Sequence, residues 1–153
     1  MNGLLIGLII VVLFALFFGG IFYLVCFIIS ARGWGKYVPD YSTEEPAPPQ
    51  AESASWQSIM IGGGPMPANY RNAVTVARDG EGIYLKMAAF FRPFHPPLFI
   101  PWNAITTVEK KPVIAGHYIA VQVEGLPPLV FFKKLGEAIL ADWQAIENEG
   151  KAS

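Results

Sequence analysis
The run Gly3–Ile29 holds 27 residues without a single Asp, Glu, Lys or Arg. Leu, Ile, Val and Phe dominate it. As a helix rising about 1.5 Å per residue it reaches roughly 40 Å, more than the hydrocarbon core of a bilayer, which is about 30 Å thick. A helix also satisfies its backbone amides internally, as lipid requires. The run predicts a membrane helix in segment 1–31, with the span at 3–29. The rival reading, a cleaved signal peptide, needs a basic start, a shorter apolar core and a small-residue exit, and Ser30-Ala31 fits that exit poorly. Cys26 reads as lipid-facing.

The flanks set the expected orientation. Arg32 and Lys36 follow the run. By the positive-inside rule the N-terminus lies outside and the C-terminal part in the cytoplasm, at the inner (plasma) membrane. Trp34 and Tyr37, with Arg32 and Lys36, are expected as membrane-interface anchors. Segment 32–55 then reads as a juxtamembrane stretch and a disordered tether. Its part 39–55, PDYSTEEPAPPQAESAS, carries four prolines and four acids and almost nothing apolar. Such a sequence buries too little surface to offset the entropy of ordering it.

Residues 56–153 read as one compact domain. The chain is 53% hydrophobic and 15% charged, with a formal net charge of −1. That balance argues against a nucleic-acid partner, which calls for a basic surface. One cysteine excludes an intrachain disulfide. Short alternating stretches predict about seven antiparallel strands, at 56–61, 73–78, 83–87, 98–102, 105–110, 117–124 and 129–132. Within 117–124, Ile119, Val121 and Val123 fall on one face. Leu135, Ile139, Trp143 and Ile146 then form the apolar stripe of a C-terminal helix at about 135–149. Such strands curl to hide their edges, and the helix is expected to plug one open end, with Trp143 as its anchor.

The fold class is therefore an N-terminal transmembrane helix followed by a mainly-β, partly open barrel with one C-terminal helix. "GIYLKM" followed by "LFIPWNAITTVEKK" resembles the bacterial pleckstrin-homology-like and GRAM-like pattern through Gly82, Ile83, Tyr84, Leu85, Ile100, Trp102, Ile105 and Val108. With its N-terminal helix and its "FRPFHPPLFIPW" segment, the chain also looks like small membrane-anchored bacterial proteins. The resemblance covers roughly residues 70–148. It implies that barrel fold and supplies no activity.

Chemistry is sparsely signalled. His95 and His117 are the two histidines, no H-x-x-x-H or G-x-S-x-G occurs, and Gly62-Gly63-Gly64 lacks the Lys-Ser/Thr of a phosphate loop. No catalytic, metal or cofactor residues are expected, and the chain reads as a non-enzyme. The most distinctive stretch is Phe90-Phe91-Arg92-Pro93-Phe94-His95-Pro96-Pro97. Its prolines stiffen the backbone. Phe90, Phe91, Arg92, Phe94 and His95 form a candidate interaction loop, with Arg92 and His95 as polar handles toward a protein or the membrane. Arg71, Arg78, Lys86, Lys110 and Lys111 are weaker candidates for lipid-headgroup contact, although the paired bases of an inositide-binding hairpin are missing. The expected function is a membrane-anchored interaction module for a protein partner or for itself. Alternatives are an anionic-lipid-sensing domain and, less well supported, a hydrolase or metal-assisted enzyme.

Overall fold
A computed structural model describes residues 2–152. Helix α1 (Gly3–Arg32) is followed after Gly33 by a short α2 (Trp34–Tyr41). Seven strands come next: β1 (Glu52–Ile61), β2 (Ala68–Arg78), β3 (Gly82–Met87), β4 (Leu98–Pro101), β5 (Ile105–Val113), β6 (Gly116–Val123) and β7 (Leu129–Phe132). Helix α3 (Lys133–Ala152) follows directly. All strand pairings are antiparallel, in the order β4-β3-β2-β1-β7-β6-β5. This half-barrel with its C-terminal helix is the arrangement that the pleckstrin-homology-like resemblance implies. The seven strands fall where alternation places them. β1 and β2 begin earlier than expected, at Glu52 and Ala68.

The two edge strands, β4 and β5, carry the prolines Pro101 and Pro112. An edge strand tolerates a residue that cannot donate to a ladder. The inward face of β6 is the expected one, since Ile119, Val121 and Val123 are buried. They join Ile59, Val76, Leu85, Ile100, Leu129 and Phe131 in one core.

Helix α3 lies over β5, β6 and β7 through Ile139, which is fully buried. Trp143 is only partly buried and stands 6.5 Å from the Trp102 ring. The anchor of this plug is thus Ile139, and Trp143 flanks it. Gly136 makes the approach possible. A Cβ there would lie 2.9 Å from Ile119 Cγ1 and from the Phe131 carbonyl oxygen. Arg78 ties the same helix to the sheet by pairing with both Asp142 and Glu52.

The N-terminal side departs from the sequence reading. Segment 32–55 is not a free tether. Its first part is helix α2, whose Trp34 and Tyr37 are fully buried in the barrel core. Its middle part runs beside β4, with a bridge between Ser42 and Leu98 and a hydrogen bond from Thr43 N to the Pro97 carbonyl (3.0 Å). Its last residues open β1. The tether was expected on composition alone. Composition misses the two aromatic residues that carry the start of the segment into the core.

At Gly136, even one methyl group overpacks the contact. We expect Gly136→Val to cost about 1–3 kcal/mol of barrel stability. Gly150→Ala, with no atom within 4 Å of its new Cβ, leaves stability nearly unchanged. Thermal melting of the full chain in detergent, followed by near-ultraviolet circular dichroism, checks both.

Candidate interaction site at the helix–barrel junction
Gly33 sets the junction. A Cβ at this position would fall 2.7 Å from the Ala68 Cβ and 2.9 Å from the Ile61 Cβ. Only glycine lets the α1–α2 corner press this closely on the start of β2 and the end of β1. That corner delivers two aromatic side chains into the core. Trp34 Nε1 donates to the Pro96 carbonyl at 2.8 Å, and the Tyr37 hydroxyl donates to the Pro127 carbonyl. Each ring therefore buries its apolar body and gives its one polar atom a partner, as buried Trp and Tyr require. Burial raises the Tyr37 phenol far above its ordinary range.

Tyr70 completes the corner. Its hydroxyl accepts from Trp34 N and donates to the Ile29 carbonyl, both at 3.3 Å. Burial pushes its pKa up to about 12, so it stays a neutral donor. The rings of Trp34, Tyr70 and His95 pack edge-on in a triangle with centroids 5.5–5.6 Å apart.

The Phe/Pro loop 90–97 closes the junction from the other side. It docks on the C-terminal half of α1. Phe90 lies 4.8 Å from Phe22, and Phe94 lies 5.4 Å from Phe27 and 6.3 Å from Tyr23. Ser30 Oγ donates to the Phe94 carbonyl at 2.6 Å. Phe94 holds φ at +62°, a left-handed conformation that costs a non-glycine residue roughly 1–2 kcal/mol. The serine bond and the two ring contacts hold it there.

Several expected roles change on this geometry. Trp34 and Tyr37 are not interface anchors, because no part of either ring is left for lipid; Arg32 and Lys36 stay exposed. His95 is not an exposed handle. It is 3% exposed, whereas Arg92 remains on the surface. Cys26 does not face outward. It is 4% exposed and packs at the junction. In each case a partner more than 35 residues away in sequence supplies the cover. Phe90 keeps 71% of its surface free, and Phe91 and Phe94 keep 42% and 48%.

The candidate headgroup bases are not gathered together. Arg78 is committed to Glu52 and Asp142. Lys110 pairs with Glu137 at 2.7 Å, and Lys111 approaches Glu109 at 3.4 Å. Lys86 lines a separate cavity beneath the 43–47 segment. Arg71 alone borders the junction, and it makes no ion pair among the described residues. The two histidines are also apart. His117 pairs with Glu137, which Lys110 and His117 hold below the usual carboxylate range. Among the described residues, no three His, Cys, Asp or Glu side chains form a metal-sized cluster.

Sequence reasoning missed a second feature. Trp56, expected within a regular strand, sits at a break in the β1–β2 register with φ at +57° and is 69% exposed. Asn72 and Lys133 also hold positive φ. All three line one open groove of about 840 Å³, with Val113 and His117. Strained backbone gathered around one groove is a mark of functional surfaces. No signal in the sequence marks a bulge at a tryptophan.

No protein-family model matches the sequence, and a search of curated proteins finds no match. Among solved structures, the chain is similar to the Vps36 N-terminal PH domain, at 13% identity and a TM-score of 0.48, over 72% of this chain and 93% of that one.

Two outcomes test the junction. Trp34→Ala should destabilise the barrel by about 3–5 kcal/mol, the usual cost of truncating a buried aromatic ring, whereas Lys36→Ala changes it little. Chemical denaturation in detergent separates the two. Burial also lowers the His95 pKa below its ordinary value near 6.5. The unfolded chain then takes up the proton first, so stability is full above about pH 6.5 and declines as the pH falls from there toward the lowered folded value. His95→Asn keeps a donor for the Pro93 carbonyl and does not titrate, so it should flatten the melting-temperature profile between pH 7 and pH 5.

Proposed function
We propose that the chain is a single-pass membrane protein whose barrel is a non-enzymatic interaction module, fixed against the inner (plasma) membrane rather than tethered to it. The observation that carries this reading is the burial of Trp34 and Tyr37 in the barrel core immediately after the apolar helix. α1 is the one described helix long and apolar enough to cross a bilayer. A hydrocarbon core of about 30 Å takes up roughly 20 of its 30 residues. The remaining third, from about Tyr23, is the part that the barrel grips. A rigid helix continuous with a rigid barrel gives the domain one height and one orientation relative to the lipid.

Arg32 and Lys36 flank the C-terminal end of the span, which supports an external N-terminus and a cytoplasmic barrel. His95 and His117 stand in separate surroundings, which supports a binding role over a shared two-histidine catalytic site. The partner-facing surface is the groove beside Trp56, with Val113 and the fully exposed Ile114 at its edge. Exposed aromatic and aliphatic side chains on a stiff frame suit a protein partner or a second copy of the chain. Confinement to the membrane raises the effective concentration toward other membrane proteins.

Spin labels at Gly20→Cys and Ile114→Cys, in a Cys26→Ser background in nanodiscs, test the fixed geometry. A docked barrel gives a narrow distance distribution. A free 17-residue tether would spread it over roughly 20 Å, and that breadth would refute the proposal. Labelling of Ile114→Cys by an impermeant maleimide from the outer side of intact cells would refute the orientation.

A further inference from the structure
We propose that the crook between α1 and β2 is a binding site for one anionic glycerophospholipid of the surrounding bilayer, its phosphate on Arg71 and a headgroup hydroxyl on His95. The inference rests on the reading of α1 as a membrane span, and the test below separates the two.

The site is a cavity of about 120 Å³. Cys26 and Ile29 of α1 line it on one side, Ala73 and Met87 of the sheet on the other, with Phe91 also in its lining. Its walls are apolar on the α1 and sheet sides, and Asn69, Tyr70, Arg71 and His95 are its polar members. Cys26 and Ile29 lie four to seven residues beyond Phe22, the residue at which a hydrocarbon core of about 30 Å ends when it is counted from Gly3. At about 1.5 Å per residue that is roughly 6–10 Å further, the depth of the lipid glycerol and headgroup region. The cavity therefore faces the one layer where a phosphate and an acyl chain are both within reach.

Three polar side chains, Asn69, Arg71 and His95, border the cavity without a side-chain hydrogen-bond partner among the described residues. Arg71 is exposed, with no ion pair among the described residues. His95 is 3% exposed and its Nε2 finds no hydrogen-bond partner. The tautomer follows from geometry. His95 Nδ1 lies 2.7 Å from the Pro93 carbonyl oxygen, which can only accept, so Nδ1 carries the hydrogen. Nε2 is then a bare acceptor, and burial keeps the ring neutral. A buried acceptor left unpaired is costly. The group that relieves it must donate.

These demands define the ligand class: an apolar chain, a negative charge and a hydroxyl donor within one headgroup length. Phosphatidylglycerol has all three. Phosphatidylcholine has neither the net charge nor the donor, and free glycerol phosphate lacks the chain. Phe90 and Phe94, exposed beside Phe22 and Phe27 of α1, supply an apolar surface for the neighbouring acyl chains.

The test uses the full chain, solubilised from vesicles of equal phosphatidylglycerol and phosphatidylcholine and examined by native mass spectrometry. Wild type should retain one phosphatidylglycerol in preference to phosphatidylcholine. Arg71→Gln, at an exposed position that leaves the core intact, should lower that preference about tenfold, the size of one charge-assisted hydrogen bond. Excess glycerol phosphate should not displace the lipid. In ring-labelled protein, the His95 Nε2 nitrogen resonance should move when phosphatidylglycerol replaces phosphatidylcholine. Equal retention of both lipids, an unchanged preference in Arg71→Gln, displacement by glycerol phosphate, or an unmoved resonance overturns the site. Alkaline carbonate extraction separates the premise. Protein that stays in the membrane but shows no preference refutes the lipid site alone, whereas protein that washes free refutes the span and the site together.

Discussion

The packing of Trp34 and Tyr37 into the open end of the barrel is the interaction on which the rest of the molecule depends. Two fully buried aromatic side chains, at roughly 150–250 Å² each and about 25 cal/mol per Å², contribute about 4–6 kcal/mol apiece as an upper estimate. That is comparable with the net stability of a whole small domain. The segment bearing them can therefore be no loose connector. Gly33 permits the approach, and the carbonyls of Pro96 and Pro127 satisfy the two polar atoms that would otherwise oppose it.

The barrel is closed from two sides. α3 covers β5, β6 and β7 through Ile139 at a glycine contact, and the α1–α2 corner enters at another. Both contacts replace what a flat, half-open sheet lacks, namely cover for the inner faces of strands that do not close on themselves. The Phe/Pro loop gains its purpose from the same arrangement. The carbonyls of its Pro93, Pro96 and Pro97 each accept a hydrogen bond, and its phenylalanines lie along α1.

Such a device differs in consequence from a domain on a string. A tethered domain samples many orientations and pays an entropic cost on each encounter with a partner. In the proposed arrangement, a domain fused to a membrane helix would have one orientation, and the exposed groove beside Trp56 would be presented in one direction. Trp56, Asn72 and Lys133 all hold positive φ around that groove.

Much of this was legible from residue order alone. The absence of charge over residues 3–29 determined the long apolar helix. Alternation determined the seven strands and the inward face of β6, because a period of two admits only one burial pattern. The spacing of Leu135, Ile139 and Trp143 determined α3. Tertiary structure decided where the amphipathic residues went. Trp34, Tyr37, Cys26 and His95 suit a membrane interface and a protein core equally well, since each has an apolar body. The choice fell to partners such as Pro96 and Pro127, 62 and 90 residues along the chain from the rings they meet. No local pattern carries that information, because it arises only when the sheet has curled and left an end to be filled.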